Sequence, residues 1–286
     1  MASARNLRSD LTAPESDMTV FLAASDESSG ANSSSDFQCT GWLAPEQDWS
    51  QFFNPAWQER VLDALPKIPY LHVTEMRSRA WREKYGLSAS DAANRLDEAA
   101  SIIATMGSLY PLKIKIGGSL FRKLFQNTQF QVASGGRKRY EPDYNTFLTY
   151  AYAVLCHVKI KFLDAERVDF LVEQKSGVTK HSQEFFDTLP NSLHHIGRSD
   201  LIPLVGTFTP GSKEQIPLQA ADFLCWHSQR ADAGTLVDSD IRRWNPMARK
   251  KGFSFDVSDD LMTTLADAFE KYEAQDGTNE SLSIAH

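Results

Sequence analysis

Apolar and polar residues along this chain of 286 residues fall into alternating strand-like and helix-like blocks. Residues 18–28 read as a strand that ends in charge at Asp26 and Glu27. Residues 29–36, rich in Ser with Gly and Asn, read as a turn, and 37–43 as the returning strand. Phe52, Phe53, Trp57, Val61, Leu62 and Leu65 recur at helical spacing and predict a helix that stops before Pro66. Residues 70–76 (YLHVTEM) read as a short strand running into a helix, and Ser90-Asp91 opens an amphipathic helix through Met106. In 111–116, Leu112, Ile114 and Ile116 alternate with Lys113 and Lys115, as a strand requires.

Asp143 begins a helix whose stripe is Tyr144, Phe147, Leu148, Ala151, Val154, Leu155 and Val158. A buried-type strand at 167–173 and a helix at 181–189 follow, then a strand at 201–208. Pro217 stands at the favoured first-turn position of a helix that runs to about Ala231. A last helix at 259–272 leads into a polar tail. An antiparallel hairpin followed by alternating strands and helices predicts an α/β domain with a mixed sheet. The expected organisation is a tail at 1–17, one domain at 18–253 and an acidic C-terminal helix and tail at 254–286.

Composition narrows the classes: 42% apolar and 11% aromatic residues supply a core and exclude a disordered chain or a fibre. No apolar run reaches the roughly 18 residues that span a bilayer, so a soluble, cytoplasmic protein without a membrane partner is expected. Cys39, Cys156 and Cys225 are widely spaced and form no zinc pattern. Neither of the glycine-rich nucleotide cradles occurs, nor a Gly-x-Ser-x-Gly nucleophile elbow.

Candidate chemistry lies with carboxylates at element ends. Asp26 closes the first apolar strand, Glu173 closes the strand at 167–173, and Asp222 sits on a helix that is apolar almost all round. A carboxylate in such surroundings needs a cation or a hydrogen-bond network to offset its desolvation. Three of them on separate elements suit a hard divalent cation, Mg²⁺ or Mn²⁺, which takes oxygen ligands. Such a centre activates water for phosphodiester hydrolysis without a covalent nucleophile. His72 and Glu75 form a further pair for proton transfer or metal binding, and Gln219 shares the face of Asp222, where it would orient a neighbour or the substrate. Solvated turns, strand-end charges and a polar helix stripe are the structural alternatives for the same residues.

These signals in this order resemble the "domain of unknown function 3800" family, a branch of the ribonuclease H-like superfamily. The resemblance rests on Asp26-Glu27-Ser28, His72-x-x-Glu75, RVDFLVEQ and PLQAADFL, and spans about residues 18–231. It implies a mixed five-stranded sheet whose first three strands are antiparallel, with flanking helices and helical insertions. It also implies acids converging from the first strand, a later strand and a C-terminal helix, positions matched by Asp26, Glu173 and Asp222. The implied activity is that of a metal-dependent nuclease. The chain departs from the family in an extra serine before Gly30, and in Val172-Glu173 where an Asp-Glu pair is expected. Val172 is the feature that favours a non-catalytic nucleic-acid-binding or interaction module of the same fold. A small-molecule phosphohydrolase is the third reading.

Net charge is −7, which at face value argues against nucleic acid. The acids after residue 253 account for all of it, so the rest of the chain is neutral. Within 111–140, Lys113, Lys115, Arg122, Lys123, Arg137, Lys138 and Arg139 stand without a single acid, and Phe121, Phe125, Phe130 and Tyr140 offer stacking surfaces. This segment is the expected contact for a nucleic-acid backbone.

Overall fold

The structure is a computed structural model that describes residues 19–29, 36–117, 129–131, 137–139, 142–173 and 178–257. Six strands form one mixed sheet: β1 (Thr19–Ser29), β2 (Phe37–Pro45), β3 (Tyr110–Ile116), β6 (Ala165–Glu173), β7 (Val205–Gly211) and β8 (Phe253–Val257). Their spatial order is β7-β6-β1-β2-β3-β8. β1, β2 and β3 pair antiparallel, whereas β6 on β1, β7 on β6 and β8 on β3 are parallel. A separate ribbon pairs β4 (Gln129–Gln131) with β5 (Arg137–Arg139).

The expected count of five strands is corrected to six. β8 straddles the boundary expected at 253/254 and pairs through Leu112 and Phe253 to Ile116 and Val257. Sequence reading missed it because FSFDV is short, lies on an edge and reads as the entry to an acidic tail. The expected helix at 259–272 and the tails at 1–17 and beyond 257 lie outside the described residues.

Strand alternation gives the sheet two apolar faces. Phe21, Ala23, Cys39, Leu43, Leu112, Ile114, Val168, Phe170 and Val172 point to one side. There they meet α5 (Pro142–Lys161) and α6 (Val178–His195), through Ala151, Val154, Leu155 and Val158 of α5 and Phe186, Leu189 and Leu193 of α6. Ala24, Trp42, Ala44 and Leu171 point to the other side. They are covered by α1 (46–62), α4 (Ala89–Thr105) and α7 (Ile216–Asp232). Two short helices, α2 (Val73–Arg77) and α3 (Arg79–Lys84), and a later one, α8 (Asp238–Ala248), complete that layer.

In α1, α-helical turns alternate with π-helical ones at Trp49–Phe53 and Gln58–Leu62. Wider turns lengthen the repeat beyond about 3.6 residues, so side chains four apart stay in line instead of drifting round the helix. Trp49, Phe53, Trp57 and Val61 form that line, none more than 1% exposed. Their buried indoles find acceptors across the layers: Trp49 donates to the Leu22 carbonyl at 3.2 Å and Trp57 to Gln219 Oε1 at 2.9 Å. Trp42, reaching up from β2, donates to the Ala220 carbonyl at 2.9 Å and hooks α7 onto the sheet.

Other boundaries moved for local reasons. α4 begins at Ala89, one residue before the expected Ser90, because Ser88 caps it, accepting from the Asp91 backbone at 3.1 Å while Asp91 reaches back to Ser88 at 2.9 Å. The strand expected at 201–208 starts later, since Ser199–Leu204, with Pro203 inside, is a 3₁₀ turn.

Gly41 sits where β2 passes closest to the layer beneath, and a Cβ there would run into the Ala24 carbonyl and the Tyr150 hydroxyl. Backbone on one side leaves no flexible neighbour to yield. Gly41→Ala is therefore expected to cost about 3 kcal/mol, read as a lower urea midpoint at unchanged m.

Candidate functional site: an acidic centre between the sheet and helix α7

Register places the acids before any side-chain detail is needed. Asp26 faces Thr40 on β2, on the side of the sheet that α7 covers. Ser25 pairs with Val172 on the parallel neighbour β6, so Asp26 and Glu173 are the next step on adjacent strands. Asp26 is 8% exposed. Asp222 projects from α7 toward the same end, with its side chain 15% exposed.

Asp222 is held in two ways. Its Oδ2 accepts the Val73 backbone N–H at 2.9 Å, and its Oδ1 lies 3.5 Å from His72 Nε2. Burial pushes its pKa up to about 7; the charges of Asp26 and Glu173 push the same way, while His72 and the Val73 N–H oppose. Three carboxylates from two strands and a helix thus share one local field. Of the sequence expectations, this convergence is the one that most needed the structure.

His72 occupies the extended residue ahead of α2. Its Nδ1 is buried and has no hydrogen-bond partner. Glu75, one turn on, pairs with Lys213 at 2.8 Å. Burial pushes the Glu75 pKa up, but hydrogen bonds from Lys213 and Tyr70 and the charges of Lys213 and His72 outweigh it and hold the group below its ordinary value. Lys213 also lies over the Tyr70 ring at 4.4 Å. Burial alone would lower the Lys213 pKa, yet Glu75 and Tyr70 raise it above the ordinary lysine value. Lys213 and Tyr70 were missed in the sequence. Lys213 is a lone cation in a polar stretch between strand and helix, and no spacing rule links it to Glu75, 138 positions away.

Gln219 is buried, and its side chain is hydrogen-bonded to protein groups. It is 1% exposed, with Oε1 accepting from Trp57 Nε1 at 2.9 Å and from the Leu71 backbone at 3.0 Å. Its amide donates to the Glu214 carbonyl at 3.1 Å. It orients neighbours: α1, the segment before α2 and the start of α7 meet on one amide.

The basic segment is dispersed. Lys113 lies on the same sheet face as Asp26, two strands away through Thr40, but is paired with Asp232 at 2.6 Å. Lys115 is paired with Asp36 at 3.0 Å. Both cations expected to meet substrate are thus offset by acids that the sequence count over 111–140 could not include. Arg122 and Lys123 lie outside the described residues, and Arg137, Lys138 and Arg139 form β5 of the separate ribbon.

The donors suit Mg²⁺ or Mn²⁺ in kind, since they are carboxylate oxygens whose mutual repulsion a divalent cation would relieve. In arrangement they are not a finished cage: among the described residues no group of three or more His, Cys, Asp or Glu side chains is disposed to hold a metal ion. Also among the described residues, no helix is long and apolar enough to cross a membrane.

The fold and this centre define a mixed α/β protein with carboxylates gathered near the strand ends, beneath one helix. No protein-family model, no curated protein and no solved structure matches the chain.

Two measurements test the centre as described. The Asp222 pKa, about 7 against an ordinary 3.8, means that the folded state keeps a proton that the unfolded chain releases. Stability attributable to this group therefore falls as pH rises from about 4 to 7. Asp222→Asn is expected to gain stability at pH 8, by at most roughly 4 kcal/mol, and nothing below pH 4, in urea titrations at both pH values. Gln219→Ala strands the Trp57 and Leu71 N–H groups, and a loss of about 3 kcal/mol in the same titration is expected, independent of pH.

Proposed function

We propose that the chain is a metal-dependent phosphodiesterase of ribonuclease H-like type that hydrolyses nucleic acid, with Mg²⁺ or Mn²⁺ held by Asp26, Glu173 and Asp222. The observation that carries this reading is the convergence of those three carboxylates: register sets Asp26 beside Glu173, and Asp222, buried on α7, is subject to the charges of both. Further support comes from strand order: without β8, the sheet runs β7-β6-β1-β2-β3, three antiparallel strands continued by two parallel ones, the arrangement that the family resemblance implies.

A bound divalent ion supplies polarisation of a phosphoryl oxygen and an acidified water. The chain's own residues do the rest. Asp26, Glu173 and Asp222 would hold that ion at the strand ends. His72 moves a proton at Nε2, the nitrogen 3.5 Å from Asp222. Glu75 is fixed beside His72 by Lys213 and Tyr70. Gln219 and the Val73 N–H hold the helix and the His72 segment in register.

A non-catalytic nucleic-acid module is favoured by one observation, the lack of a ready ion cage among the described residues. The two separate in one assay set. Hydrolysis of DNA, RNA and hybrid substrates with Mn²⁺ is expected for the wild type and a loss of at least a hundredfold for Asp222→Ala. Mn²⁺ is also expected to raise the Tm of the wild type above pH 7 but not that of Asp222→Asn. Activity that survives removal of Asp222 defeats the proposal. Salt-dependent binding without Mn²⁺ uptake establishes the module instead.

A further inference from the structure

On the opposite flank of α7 lies a cavity of about 240 Å³, between the β2–β3–β8 edge of the sheet and helices α7 and α8. Leu224, Trp244 and Met247 give it an apolar wall. Thr40 from β2 and Ser228 from α7 also line it, 0% and 1% exposed, and neither hydroxyl has a hydrogen-bond partner. A buried hydroxyl left without a partner costs about 1–3 kcal/mol, so two of them bordering one cavity call for something that fills it and bonds them. Helix geometry separates this place from the acidic centre. At about 100° per residue, Leu224 and Ser228 lie within roughly 40° of each other and more than 100° from Asp222.

Charge narrows the occupant. Lys113, on the cavity wall, is neutralised by Asp232. Lys250, also on the wall, donates to the Met106 carbonyl at 2.6 Å, and no acid among the described residues pairs with it. Burial lowers its pKa, with no acid nearby to offset that. The volume equals that of about eight waters, enough for one six-membered ring with a short side chain. The wall indole and thioether are the groups that pack well on an aromatic ring.

We infer that this cavity binds a small aromatic monocarboxylate: the ring lies against Trp244 and Met247, hydrogen bonds run to the Thr40 and Ser228 hydroxyls, and the carboxylate meets the Lys250 ammonium. The site takes no part in the phosphodiester chemistry proposed for the acidic centre, which it adjoins at Thr40, the register partner of Asp26. It uses α8 and β8, which that centre does not need.

Calorimetric titration of the full chain with sodium phenylacetate tests it, with benzyl alcohol as the uncharged probe of the same ring. Saturable one-to-one binding of phenylacetate is expected, at least tenfold tighter than benzyl alcohol. Thr40→Val and Ser228→Ala each weaken phenylacetate about fivefold to tenfold. Lys250→Met removes the preference for the charged probe. The two hydroxyl deletions break no hydrogen bond within the protein, so they fold and keep the test sound if Lys250→Met does not. Asp222→Asn leaves phenylacetate affinity unchanged, so failure of this site and failure of the acidic centre are read apart. No saturable binding by the wild type, or binding undiminished in both hydroxyl variants, overturns the inference.

Discussion

Everything at the acidic centre depends on how the extended segment 71–73 is docked along α7. Gln219 and Asp222, one helical turn apart, accept the backbone N–H groups of Leu71 and Val73, two residues apart in the extended segment. In extended chain, alternate N–H groups point the same way, so a helix face with acceptors at i and i+3 can take both. Docking fixes His72 between them and sets its Nε2 beside Asp222. It also explains why a carboxylate and an amide appear on a helix that is otherwise a core element. They are the acceptors that let irregular backbone be buried without stranding its donors.

The same helix is held from below by the Trp42 indole and from the side by Trp57 through Gln219. This rigidity has an electrostatic consequence. Asp26 and Glu173 are fixed by strand register, Asp222 by its helix, and none can retreat from the others without breaking pairing or packing. Burial is the main cause that raises the Asp222 pKa, and the retained repulsion of Asp26 and Glu173 adds to it. A cation or a proton has to balance it.

Helix α7 divides two environments. On the Asp222 side are titratable groups, His72, Glu75, Lys213 and Tyr70, drawn from the segment before α2, from α2 itself and from the turn after β7. On the Ser228 side lies a largely apolar cavity whose far wall is formed by α8 and by β8, which extends the sheet beyond β3. α8 is itself anchored by buried charge: Asp240 pairs with Arg77 and Arg243, and Arg243 reaches Asp97 on α4 at 2.7 Å.

Local periodicity made most of this framework legible in the sequence. The hairpin, the alternation at Leu112, Ile114 and Ile116, the stripe on α5 and the apolar helix carrying Asp222 are short-range patterns that state their own burial. Asp26, Glu173 and Asp222 stood out for the same reason, as charges at the ends of apolar runs. β8 and α8 were not legible, since an edge strand buries little and carries a weak pattern. The pairing of Lys113 and Lys115 with Asp232 and Asp36 escaped a count that stopped at the segment's ends. By itself, then, the sequence determined which residues are core, which acids are out of place and where strands and helices alternate, because periodic burial is written residue by residue. Only the tertiary structure decided that the three acids share one field, that Gln219 clamps Trp57 and Leu71 onto α7 and that Lys213 pairs with Glu75. Those facts rest on contacts between residues far apart in the chain, whose distances no local pattern encodes.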